Sequence, residues 1–252
     1  MAGRAHVIEI DADVPPWPLA FELASALPTG SWVLVGGLMV HAHALRSGVT
    51  AVRPTSDVDL LLNIATASAG EIGRTITSIG FETVQPSRGN PVHRFTRGDD
   101  VVDVMVARDV RAPTRWMQRP LLRAPGAAQA LLRRDRYTLL ADERTAEIEV
   151  PDPLGAIVAK AAAYAVDSRN PQRHLEDLAV LGAAIGVPRA LDLDTLTPND
   201  RRHLNRVIPF LTDSHHSSWA ILDPYDRELG QRIWARIAGA VARPSMDEAG
   251  EL

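Results

Sequence analysis

The stretch VGGLMVHAHALRSGVTAVRPTSDVDLLL, residues 35–62, decides how this chain is read. It opens on the Gly-Gly turn that closes the apolar strand SWVLVGG (31–37), continues as the helical pattern LMVHAHALR (38–46), and ends in the strand TSDVDLLLNI (55–64). Strand side chains alternate between faces, so Asp57 and Asp59 project from one side while Val58 points into the core. Two carboxylates forced together repel and raise each other's pKa, a conflict that a divalent cation relieves. Further along, Asp103 interrupts the apolar run DDVVDVMVA (99–107) between its face-mates Val101 and Met105, which would otherwise be plain interior. From an adjacent strand it would add a third carboxylate and complete an oxygen-rich site for magnesium or manganese. Ions held in this way activate an attacking hydroxyl and hold phosphates for in-line displacement. Each piece alone is a common pattern: a lone DxD, a single strand Asp, a Gly-Gly turn. Their order along the chain is the one a phosphate-transfer site needs.

Working outward, Ile72, Ile76 and Ile79 give ATASAGEIGRTITSIG (65–80) helical spacing, with Gly80 as its stop. FETVQ (81–85), VHRFTRG (92–98) and DDVVDVMVA read as three strands separated by glycine, proline and asparagine turns. The arginine-rich stretch 108–143 reads as a loop, a short helix around 126–134 and a strand RYTLLA (136–141), and TAEIEV (145–150) is the last strand. After Pro151 the pattern is helical throughout: 153–168, 173–186, 200–211 and 226–243 carry apolar residues at three- and four-residue spacing. The expected fold class is therefore α/β (α+β), with a mixed-sheet domain over 1–150 and a helical bundle over 151–252. The tail PSMDEAGEL (244–252) is expected to fray.

Composition narrows the chemistry. With 46% hydrophobic and 23% charged residues over 252 positions, a folded chain is expected rather than a disordered or fibrous one. The absence of cysteine excludes disulfides, thiol catalysis and cysteine-ligated metals, leaving oxygen or imidazole as metal ligands. No apolar run approaches the roughly 18 residues of a membrane span, and the start MAGRAHVIEIDADV lacks a basic segment followed by an apolar one. A cytoplasmic location without membrane contact is the expectation. The net charge of −4 exerts no global pull toward nucleic acid. Of the 27 basic residues a single one is lysine, Lys160, so that position is a candidate for a compact ammonium rather than a planar guanidinium.

Other chemistry-bearing residues have plainer readings. His41 and His43 lie two apart on a helix and cannot share a face, which fits packing or surface roles. The pair His215-His216 reads as a solvated loop. Arg133, Arg134 and Arg136 with Tyr137 offer a nucleic-acid groove or, more simply, a solvated charged face. Trp219 and Trp234 read as bundle core.

The ordered motifs resemble the nucleotidyltransferase superfamily with its DNA polymerase beta-like fold. VGG at 35–37 resembles the phosphate-holding hG[GS] element, DVDL at 57–60 the Dh[DE]h element, and VDV at 102–104 the strand carrying the third carboxylate. RPTSDVD (53–59) is similar to the form found in AbiEii-like and MenT-like toxins of type IV toxin–antitoxin systems and in some antibiotic nucleotidyltransferases. KAAAYAVDSRNPQRHLEDLAVL (160–181) resembles the AbiEii-like helical signature, with Lys160 on its lysine, Arg169 near its arginine and Asp177-Leu178 on its Asp-Leu.

The resemblance implies transfer of a nucleoside monophosphate from an NTP to an acceptor hydroxyl, with release of pyrophosphate. In that role Asp57, Asp59 and Asp103 would be the metal ligands, and Asp103 would help to deprotonate the acceptor. Gly36 and Gly37 would let backbone amides reach the triphosphate, Lys160 would neutralise its charge, Asp177 would orient Lys160, and Arg53 would contact phosphate or acceptor. The implied acceptor is RNA, the tRNA 3′ end, modified by a toxin that a cognate antitoxin protein restrains. The alternatives are a small-molecule acceptor such as an aminoglycoside or lincosamide, and an inactive member that binds a nucleotide or a partner.

Overall fold

A computed structural model describes residues 3–85, 91–107, 115–116, 119–187 and 191–243. The tail 244–252 and part of the arginine-rich loop after Ala107 lie outside the described residues. The protein is mixed α/β and carries a helical C-terminal region. No helix among the described residues is long and apolar enough to cross a membrane.

The larger sheet is built on β2 (Trp32–Val35), β3 (Asp57–Leu62), β4 (Glu82–Thr83), β5 (Arg94–Arg97) and β6 (Asp100–Ala107), in the order β2-β3-β6-β5-β4. A further short strand, β9 (Leu122–Ala124), pairs with β6 beyond the end of β5. β3 runs antiparallel to β2 and parallel to β6. Period-two alternation then sorts the two central strands. Val58, Leu60 and Leu62, with Val102, Val104 and Val106, enter the main apolar core. The opposite face carries Asp57, Asp59 and Leu61 beside Asp103, Met105 and Ala107, and α4 (Ala127–Leu132) closes its apolar end through Ala127 and Ala130. Val101 and Met105 are half-buried on that cleft side, not plain interior.

A second sheet joins β1 (Ala5–Glu9), β10 (Arg134–Ala141) and β11 (Arg144–Pro151). β1 pairs with β10 in parallel, so the first residues of the chain complete a sheet whose other strands lie far along the sequence. α1 (Trp17–Ala26) packs against β11, and α3 (Ala69–Ser78) begins with a capping box in which Ser68 and Glu71 satisfy each other's backbone amides. The two-residue strands β7 (Arg115–Trp116) and β8 (Arg119–Pro120) form a separate ribbon.

The glycine pair belongs to a helix rather than to a turn that precedes one: α2 runs Gly36–Ser47 directly off β2. In the helical region, α5 (Pro153–Tyr164) and α6 (Gln172–Ile185) pack on each other, and α6 also contacts α2 and α9 (Pro224–Val241). One buried apolar cluster runs through both halves of the chain, from Ile8 to Val241. α5 stops at Tyr164 instead of continuing to 168, because Asp167 turns the chain by accepting from the amides of Arg169 and Asn170. The single helix expected over 200–211 is broken into α7 (Pro198–Leu204) and α8 (Ile208–Leu211). Pro209 is the cause: it lacks an N–H and its ring crowds the preceding turn, so it sits in the first turn of α8. Trp219 and Trp234 are buried in this region, in line with their reading as bundle core.

His43 ties the layers together. Its Nε2 donates to the Pro151 carbonyl at 2.9 Å and its Nδ1 accepts from the Tyr137 hydroxyl at 3.2 Å, which fixes a neutral ring. Burial pushes its pKa from 6.5 down to about 3. Below pH 6.5 the unfolded chain takes up a proton that the folded ring refuses until about 3, so this group's stabilising contribution is lost as pH falls through that window. His43→Asn is expected to flatten the decline of the urea unfolding midpoint between pH 7 and 5; an unchanged slope would show that other groups cause it.

Candidate active site

A cleft of about 550 Å³ lies between the carboxylate face of β3 and β6, the start of α2, and helix α5 with the loop that follows it. Its lining includes Asp57, Asp59, Asp103, Gly36, Gly37, Arg53 and Lys160, so the structure brings together seven of the eight residues singled out from sequence; the eighth, Asp177, lies directly behind Lys160.

Register builds the acidic cluster. Asp59 stands opposite Asp103 in the parallel ladder, and Asp57 lies two residues back on the same face. One ligand oxygen from each of the three lies within 4.8 Å of the others, so the cluster could hold a metal ion. The three carboxylates differ in their surroundings. Asp57 accepts from the Thr55 hydroxyl at 2.9 Å. Asp103 is gripped by Arg94, its cross-strand neighbour on β5, through two parallel hydrogen bonds of 2.8 and 2.6 Å. That pairing raises the pKa of the guanidinium further. Asp59 makes no hydrogen bond or ion pair among the described residues. Burial first, then the charges of Asp57 and Asp103, push its carboxyl up to about 7 against the weaker opposing pull of Lys160 and Arg173. An all-oxygen donor set with one carboxylate held against its own charge fits a hard divalent cation.

The glycines are shaped by these neighbours. Gly36 has φ +71°, and a Cβ there would fall 1.7 Å from Asp59 Oδ2, so any side chain would be strained and would displace the carboxylate. At Gly37 a Cβ would meet the Thr55 hydroxyl at 2.7 Å. The helix thus starts directly against the acidic strand β3 and the residue Thr55 just before it. No side chain caps α2, so its leading amides are available to an anion, and the helix dipole favours one there.

Across the cleft, Lys160 is buried on α5 and its Nζ donates to Asp177 Oδ2 at 2.6 Å. The other Asp177 oxygen faces Arg53 Nε at 3.6 Å, so one buried carboxylate on α6 positions both cations. His41 fixes the Arg53 backbone by donating to its carbonyl at 2.7 Å, and burial lowers the pKa of that imidazole. At the rim, Asp167 holds Arg173 and His174 at 3.0 Å each. Burial and the neighbouring cations Lys160 and Arg173 bring the His174 pKa down to about 4.

Two side readings change. The basic run at 133–136 is not an open groove: Arg133 reaches Thr195 and Asp200, Arg134 pairs with Glu149, Arg136 lies near Glu147, and Tyr137 is core. His216 is not simply solvated, since it caps the short 3-10 turn Ser217–Ile221 by accepting from the Ser218 amide, and its ring packs on Phe210. His215 is exposed but has Asp213 at 3.9 Å, a carboxylate two residues away in sequence.

Arg94 and Thr55, which contact the acidic cluster directly, and the rim residues Asp167, Arg173 and His174 were not singled out from sequence. Thr55 could have been found as a hydroxyl two residues before an aspartate, a spacing that favours a local hydrogen bond. Arg94 had no such signal, because its partner depends on strand register. Compared with known protein families, curated proteins and solved structures, the chain matches none.

Proposed function

We propose that this chain is a metal-dependent nucleotidyltransferase with a DNA polymerase beta-like catalytic domain and a helical domain that completes the cleft. The observation that carries this reading is the carboxylate cluster lying against the glycine-led start of α2, in one cleft with the buried Lys160. Asp57, Asp59 and Asp103 would hold magnesium or manganese, which when bound neutralises phosphate charge and lowers the pKa of the acceptor hydroxyl. The chain's own groups do the rest. The amides at Gly36 and Gly37 receive the triphosphate, and Lys160, steadied by Asp177, neutralises charge on the departing pyrophosphate. Arg53 lies where it can contact phosphate or acceptor. The acceptor oxygen bonds to the α-phosphorus as the bond to the β-phosphate oxygen breaks, and the hydroxyl proton passes to the cluster, with Asp103 the candidate base.

The sequence resemblance favours an RNA acceptor, the tRNA 3′ end, for a toxin held in check by an antitoxin. Incubating the protein with each labelled NTP, magnesium and either total tRNA or an aminoglycoside and lincosamide panel tests this. Label on RNA, lost in Asp57→Asn, is the expected result. Transfer to an antibiotic alone would replace the acceptor. No transfer to any acceptor, or transfer undiminished by Asp57→Asn, would remove the catalytic reading.

A further inference from the structure

We propose that Arg94 is the resident counter-cation of the carboxylate cluster: a divalent ion must displace it from Asp103, and this exchange sets the metal affinity of the site. The inference rests on the metal-site reading above and assigns a positioning role to a residue outside the recognised motifs.

Three observations carry it. First, the Arg94 fork takes up both oxygens of Asp103, at 2.8 and 2.6 Å, from the directly opposed position on β5. A bidentate guanidinium is among the strong hydrogen-bonding partners a carboxylate finds in a protein, and it occupies the oxygens an ion would share with Asp57 and Asp59. Second, three other cations lining the cleft are held by carboxylates outside the cluster. Lys160 and Arg53 face Asp177, and Arg173 is bound to Asp167. Arg94, by contrast, contacts the cluster directly. Third, the two partners differ in freedom: the Arg94 side chain is 42% exposed whereas that of Asp103 is 11% exposed. The arginine can swing toward solvent while the aspartate stays fixed on its strand. An ion entering the cluster would meet the guanidinium at close range, and like charges repel, so the arginine yields and the carboxylate remains.

The test is manganese binding without nucleotide, read from the electron paramagnetic resonance signal of free Mn2+ during titration of the full chain. Arg94→Gln removes the competing charge and should bind Mn2+ up to about fivefold more tightly than the unchanged protein, the upper effect of one exposed charge pair. Arg94→Lys keeps the charge but not the fork, and should fall between the two. In an Asp103→Asn background the Arg94→Gln gain should vanish, because the contested ligand is gone. Should Arg94→Gln not fold, the gain in Arg94→Lys decides the question. Equal or weaker Mn2+ binding in the folded variants overturns the proposal while leaving the metal site in place. Absence of Mn2+ binding in every protein overturns both the exchange and the metal reading. Transfer activity in the labelled-NTP assay is a separate outcome that neither result presupposes.

Discussion

Asp59→Asn is expected to stabilise the metal-free protein at pH 8 while ending nucleotide transfer, two effects of opposite sign from one atom change. The Asp59 carboxyl lies near 7 in the folded protein against an ordinary 3.8, so the folded state holds a proton that the unfolded chain has released between those values. Stability therefore falls as pH rises through that window, and the full cost applies above about 7. A displacement of that size corresponds to at most about 4 kcal/mol. Relaxation and water entry reduce it, and about 2 kcal/mol is the working expectation, roughly 4–8 °C in Tm for a chain of this length. Thermal melts in chelator should show the variant above the unchanged protein at pH 8, with the gap closing as pH is lowered toward 4. Magnesium should raise the Tm of the unchanged protein and leave Asp59→Asn nearly unaffected. A variant that melts lower at every pH would show that Asp59 is not held against its charge.

The same residue shows how far sequence reaches. Alternation along a strand is local, so the shared face of Asp57 and Asp59, and the burial of Val58 between them, were legible directly. The order of strand, glycine pair, helix and acidic strand was legible for the same reason. Pairing is not local. Nothing in DVVDVMVA states that it will lie parallel to β3 with Asp103 beside Asp59, although the chemistry of the cluster required some such neighbour. Arg94 was invisible because its meaning exists only in that register. The first strand was missed for a similar reason: AHVIE earns its place by parallel pairing with residues 136–140. The break at Pro209 is a local signal outweighed in the reading by apolar spacing on either side of it.

The ion pair behind the cleft gives the last expectation, and it separates a structural role from a catalytic one. Lys160 is buried, so its replacement is expected to change stability. Lys160→Met would strip Asp177 of its 2.6 Å partner and leave a buried carboxylate facing only Arg53 at 3.6 Å. Removing one member of such a pair costs about 3–5 kcal/mol, which equilibrium unfolding in urea would detect. Replacing both members by apolar side chains of similar size is often close to neutral, because no uncompensated charge remains. Lys160→Met with Asp177→Leu is therefore expected to recover most of the lost stability. It should not recover transfer if, as proposed, the ammonium faces the departing pyrophosphate, because that group is absent in both proteins. Lys160→Arg, which keeps the charge on a bulkier planar group, should fold and lose on the order of 100-fold in turnover. If the lysine served only to satisfy Asp177, the stable double variant would transfer nucleotide at the rate of the unchanged protein, and the lone lysine of the chain would be structural.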